Sequence, residues 1–153
     1  MSTLTAEELV GTWTLVDLVI EGPGGELRRP LGVSPRGMLV YGGDGTVSAM
    51  LSAAARGPLG PGGLEDAYSA GEADKAAAFD SFMAYAGRWR LQGDTVFHEV
   101  ALSLAPEAEG QTLVRRVART ATGMALRYVR MGRSGRAWTY RLTWTRASEM
   151  TGG

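Results

Sequence analysis

The sequence predicts an all-β fold, an eight-stranded antiparallel up-and-down β-barrel with one helix between its early and late strands. Three observations carry this. Turn signals recur at short spacing and no helical segment separates the later strands, which is the pattern of an antiparallel meander. The last strand alternates cleanly, with Trp138, Tyr140, Leu142 and Trp144 on one face and Thr139, Arg141, Thr143 and Thr145 on the other. Finally, Gly11-Thr12-Trp13 lies near one end of the chain and Leu142-Thr143-Trp144-Thr145-Arg146 near the other. Closing a barrel makes the first and last strands neighbours, so the Arg146 guanidinium can cover the Trp13 indole.

Residues 1–10 form a lead-in with a short helix over 4–9, in which Thr5 is the N-cap and Glu8 stands at capping-box spacing. A first strand follows over 12–20. On it Asp17 shares a face with Trp13, Leu15 and Val19, and is expected at the rim or beside an arginine. Residues 22–36 are a Gly/Pro/Arg loop. Strands over 37–41 and 46–51 flank Gly42-Gly43-Asp44-Gly45, whose glycines suit a tight hairpin. Residues 53–71 are a Gly/Pro-rich loop, and 72–86 predict a helix. Ala76, Phe79, Met83 and Ala86 give it one apolar stripe, Gly87 ends it, and it would plug or flank one end of the barrel. Strands over 88–92, 95–104, 112–120, 124–131 and 137–146 complete the set, with a tail over 147–153. In 95–104, Val96, His98, Val100, Leu102 and Leu104 share a face, which places the only histidine on an apolar side.

At 153 residues with 44% hydrophobic content the chain makes one domain with one core. It has no cysteine, so packing alone must hold it and no thiolate is available. One histidine and scattered carboxylates do not make a metal site, and none is expected. The Gly-rich runs lie between strands and do not open helices, so no nucleotide cofactor is expected, nor any other cofactor. No Gly-x-Ser-x-Gly elbow accompanies His98. Glu7 and Glu8 near the start, with no basic or apolar run, give the expectation of a cytoplasmic protein that does not engage membranes. Sixteen basic and sixteen acidic residues cancel, yet residues 110–148 contain nine arginines and no carboxylate. That asymmetry would suit an acidic partner, but strand arginines more often pair across a sheet, so no nucleic-acid partner is expected. A monomer or homodimer is expected.

Several short pieces occur in register along nearly the whole chain. They are Leu9-Val10-Gly11-Thr12-Trp13, Pro35-x-Gly37-x-Leu39-x-Tyr41 running into Asp44-Gly45-x-x-Ser48, Tyr85-Ala86-Gly87-Arg88-Trp89, Val96-x-His98-x-Val100, Gly110 with Arg115 or Arg116, and Leu142-x-Trp144-x-Arg146. Together they resemble the lipocalin-like domain family of small bacterial and fungal proteins. The resemblance implies a calyx that binds a small hydrophobic molecule, and it transfers no catalytic set. Small barrels of related architecture also serve as cofactor-free cyclases in polyketide pathways, which is architectural analogy.

The residues themselves support two functions. Tyr41, Met50, Trp89, Trp138 and Leu142 are candidate ligand-binding walls, suited to a polyketide-like or aromatic guest. His98, Tyr140 and Tyr128 are candidates to orient the guest or move a proton. Gly11, Trp13, Trp144 and Arg146 are expected to be structural and to close the floor. The leading expectation is a cofactor-independent cyclase or isomerase of secondary metabolism, because holding a flexible chain in a reactive shape can itself accelerate ring closure. The alternative is a non-catalytic carrier, in which His98 is a core histidine bonded to a neighbouring strand.

Overall fold

The computed structural model describes residues 3–147, so most of the expected tail, 148–153, lies outside the described residues. It begins with α1 (Ala6–Leu9), where Thr5 Oγ1 accepts from the Glu8 amide and the Glu8 carboxylate accepts from the Thr5 amide, a capping box. Strand β1 (Gly11–Glu21) is joined to a two-residue β2 (Leu27–Arg28) and then to β3 (Arg36–Tyr41) and β4 (Thr46–Ser52). Short α2 (Leu64–Ala67) lies inside the Gly/Pro-rich loop and α3 (Glu72–Asp80) follows it. Five strands finish the chain: β5 (Phe82–Gln92), β6 (Thr95–Ser103), β7 (Thr112–Arg119), β8 (Gly123–Met131) and β9 (Ala137–Arg146).

Strand β1 pairs antiparallel with both β2 and β3, each strand from β3 to β9 pairs antiparallel with the next, and β1 pairs with β9 from Trp13↔Arg146 to Glu21↔Thr139. The result is a closed eight-stranded barrel of β1 and β3 to β9, with β2 as one extra strand on β1. Closure removes every open edge except that of the short β2.

The predicted helix 72–86 is corrected. It stops at Asp80, and Phe82 onward is strand. Met83, Ala84 and Ala86 favour a helix, but β4 needs a partner over its full length, and the ladder from Ser52↔Phe82 to Thr46↔Arg88 overrides local preference. Gly87 therefore lies inside β5 and is not a helix stop.

Two bulges also change which residues face inward. In β1 the register shifts between Leu15 and Asp17, so Leu18 is buried and Asp17 turns outward to an ion pair with Arg29 at 3.3 Å. Between β5 and β6 a shift at Ala86/Gly87 turns Leu102 outward, 68% exposed, and brings Ser103 to the interior. Leu102 thus departs from its expected face.

One end of the barrel is filled. Leu9, Trp13, Tyr41, Val47, Val96, Val117 and Met124 are buried there, and the Trp13 Nε1–H donates to the Leu9 carbonyl at 2.9 Å. Arg146 lies 4.4 Å over the Trp13 ring and donates to the carbonyls of Val10 and Glu8, so it fastens α1 across the end. Gly11 (φ +127°) leaves the room this needs, since a Cβ there would come within 2.6 Å of Arg146 Nη1. Replacing Arg146 by Met should remove both carbonyl bonds and the ring contact while keeping the chain's bulk. A loss of about 2–3 kcal/mol is expected in urea denaturation, and an unchanged midpoint would refute this account of the closed end.

The arginine-rich strands meet acidic neighbours on the outer surface. Arg90–Glu99, Arg116–Asp94 and Arg119–Glu8 are exposed pairs, of small individual worth.

Candidate functional site

The other end of the barrel is hollow. A cavity of about 460 Å³ opens there, a size within the range of sites for small organic ligands. Its depth is apolar, formed by Leu39, Ala49, Leu51, Leu126, Leu142 and Trp144, and Phe79 of α3 with Phe82 and Met83 of β5 stand at its mouth. Its polar groups are Tyr85, His98, Ser103, Arg115, Tyr128, Arg130 and Tyr140. Among the described residues no carboxylate lines it.

His98 is 1% exposed and held on both sides. Its Nε2 is 2.7 Å from the Tyr41 hydroxyl and its Nδ1 2.7 Å from the Tyr85 hydroxyl. Register explains the meeting: His98 on β6 lies opposite β5, which carries Tyr85, and the imidazole reaches across the interior to Tyr41 at the end of β3. Burial, aided by the Arg115 charge, pushes the imidazole pKa down to about 3, so the ring is neutral at physiological pH. Burial also pushes the Tyr85 hydroxyl up to about 12 and that of Tyr41 well above its ordinary value, so both tyrosines carry their protons.

A neutral imidazole has one N–H and one acceptor nitrogen, so one tyrosine must donate to the ring and the other accept from it. Among the described residues the Tyr41 hydroxyl bonds only to His98, and Tyr41 is fully buried. If Tyr41 accepted, its own hydrogen would have no partner, a penalty of about 1–3 kcal/mol. Counting donors and acceptors therefore assigns the Nδ1–H tautomer. Tyr41 donates to Nε2, Nδ1–H donates to Tyr85, and the Tyr85 hydrogen is left for the cavity that Tyr85 lines.

Beside this chain Arg115 lies 3.5 Å over the Tyr128 ring, and Tyr128 stacks on Tyr140 with centroids 4.6 Å apart. The three make a layered wall of guanidinium and two phenols.

Of the expected site residues, His98, Tyr128, Tyr140 and Leu142 come together on the cavity wall. Tyr41 stands behind His98 and touches the cavity only through it. Trp89 is not among the lining residues. It packs on Tyr41 at 4.8 Å and donates to the Gly42 carbonyl, at the filled end. Trp138 is also outside the lining and is covered by Arg28 at 4.3 Å. Met50 is a correction: it is 43% exposed, because alternation on β4 turns its neighbours Ala49 and Leu51 inward. Of the expected structural set, Gly11, Trp13 and Arg146 form the closed end, whereas Trp144 also contributes to the cavity floor.

Tyr85, Arg115 and Arg130 were not anticipated as cavity residues. Tyr85 falls in the segment read as helix. Arg115 alternates with Leu113 and Val117, so its inward direction was available from the strand period, but its charge argued for the outer face.

The lipocalin-like domain family model matches residues 10–147. The chain belongs to the lipocalin-like domain family. The match covers every strand of the barrel, and a lipocalin-like barrel suits a small hydrophobic ligand. No curated protein matches the chain. Among the described residues of this lipocalin-like protein, no helix is long and apolar enough to cross a membrane.

Proposed function

We propose that this protein binds one small, predominantly apolar molecule inside the barrel, with the molecule's polar end against the Tyr85, Arg115 and Tyr128 wall. The observation that carries this reading is a cavity of about 460 Å³ that is mostly hydrocarbon and whose polar lining groups all come from β5 to β9, none from β1, β3 or β4. Such a division fixes the orientation of an amphipathic guest. N-Phenyl-1-naphthylamine, a neutral dye that brightens in apolar surroundings, tests it. The wild type should take up the dye at one site, and Leu142→Trp, which fills the cavity, should weaken uptake by about tenfold or more with the melting transition retained. No uptake by the wild type, or uptake indifferent to the filled cavity, would overturn the reading.

The hydrogen-bonded chain from Tyr41 through His98 to Tyr85 favours a second reading, a cofactor-independent cyclase or isomerase acting on a polyketide-like metabolite. Tyr85 would donate to a carbonyl oxygen that gains negative charge, Arg115 would stabilise that charge, and stacked Tyr128 and Tyr140 would shape the folded chain. In this reading His98 is a positioning residue, since both its nitrogens are occupied by tyrosines. A carrier needs the same walls but no charge development, so Tyr85→Phe would weaken binding in a carrier and abolish turnover with little loss of binding in an enzyme.

A further inference from the structure

Arg115 is the one charged group set well into the cavity wall, and its guanidinium is largely unused by the protein. Among the described residues it makes one hydrogen bond, from Nη1 to the Val114 carbonyl at 3.1 Å, and one ring contact with Tyr128. Among the described residues it has no ion pair, whereas Arg29, Arg90, Arg116 and Arg119 each have one. A guanidinium carries five N–H donors in a planar fork that matches a carboxylate edge, so most of its capacity faces no protein acceptor. Arg130, exposed on the next strand, lines the same cavity and adds a second positive charge. Two like charges border one mainly apolar space that, among the described residues, no Asp or Glu lines.

We propose that the natural occupant is an amphipathic anion, an apolar body ending in a carboxylate, with the carboxylate on Arg115 and the body in the pocket of Leu39, Leu51, Leu126 and Leu142. This specifies the chemical class of the molecule bound in the reading above, and it rests on that reading. The guanidinium offers a bidentate contact, and the free hydrogen of Tyr85 supplies a third donor from the same wall. Contact with the Tyr128 ring restrains the guanidinium, so little side-chain freedom is lost on binding. Arriving negative charge also relieves the repulsion between Arg115 and Arg130, which a neutral or cationic guest cannot do.

Decanoate and decanol have the same chain and differ in the head group. Each is titrated at pH 8 against bound N-phenyl-1-naphthylamine, so dye uptake reports the cavity and displacement reports head-group preference. Wild type should prefer decanoate over decanol by about tenfold or more, the value of a charge-assisted contact that the alcohol lacks. Arg115→Gln should remove that preference, because it weakens decanoate far more than decanol, with dye uptake still reporting a formed cavity. The wild-type comparison stands even if the variant fails to fold. Equal displacement by acid and alcohol with the dye bound would overturn the anion assignment and leave the cavity reading intact. Preference retained in a folded Arg115→Gln would overturn the role of Arg115. Absence of dye uptake would overturn the cavity reading and the anion assignment with it.

Discussion

Acidification from about pH 7.5 to pH 5 is expected to cost this protein about 2 kcal/mol of folding stability through His98 alone. In the folded chain burial pushes the imidazole pKa down to about 3, against an ordinary value of 6.5. Between those two values the unfolded chain binds a proton that the native state refuses. Stability from this source is fully present above pH 6.5 and is lost as pH falls towards 3, at about 1.4 kcal/mol per pH unit. Glu8 and Asp44 are held below the ordinary carboxylate values, Glu8 chiefly by its bond from Arg119 and Asp44 by Thr46, so they too lose stability in acid. Their window lies lower, because their ordinary values are 4.5 and 3.8, and the interval down to pH 5 isolates the histidine. Urea denaturation at stepped pH should show the slope in wild type and a nearly flat profile in His98→Gln. The variant should also be less stable at neutral pH, since a Gln amide does not reproduce the paired imidazole bonds to Tyr41 and Tyr85. Parallel pH profiles for the two proteins would remove His98 as the cause.

Much of the fold was legible because a closed barrel writes itself into alternation. The face shared by Tyr140, Leu142 and Trp144, and the pairing of Trp13 with Arg146, follow from period two and from the adjacency of first and last strands. Bulges were not legible. One extra residue at Val16 sends Asp17 outward, and one at the β5/β6 step does the same to Leu102, though neither leaves a compositional mark. The start of β5 was hidden for another reason, since its Ala and Met suit a helix and only the demand of β4 for a partner makes it strand. The site was half visible. His98 on an apolar face was apparent, but Tyr41 lies 57 positions away and its contact depends on register across the whole barrel. Arg115 does not stand out in the sequence as a cavity residue, because an arginine turned into an apolar cavity contradicts the usual sorting of charge. That contradiction is what makes it informative once the fold is known.

Gly87→Ala is expected to be the most damaging single-methyl change in the chain. Gly87 lies in the middle of β5 opposite Val100, at the step where the β6 backbone bulges towards it. A Cβ there would fall well inside contact distance of the Glu99 carbonyl oxygen and within 3.0 Å of the Ala101 amide nitrogen, and both are main chain. A flexible side chain could swing away, but these groups belong to the ladder. β5 is paired on its other side to β4, and the sheet is closed, so displacement in either direction breaks hydrogen bonds. The strain would also reach the cavity, because Glu99 is next to His98, whose two tyrosine bonds depend on the path of β6. A loss of at least about 3 kcal/mol is expected, enough to unfold much of a marginally stable domain. Gly57→Ala is the control, since a Cβ there meets nothing within 4 Å and its φ is not in the left-handed region. That change should be neutral or slightly stabilising, by removing freedom from the unfolded chain. Circular dichroism melts of the two variants beside wild type decide the matter: if Gly87→Ala melts with Gly57→Ala, the close approach of β6 is not what requires glycine at this position.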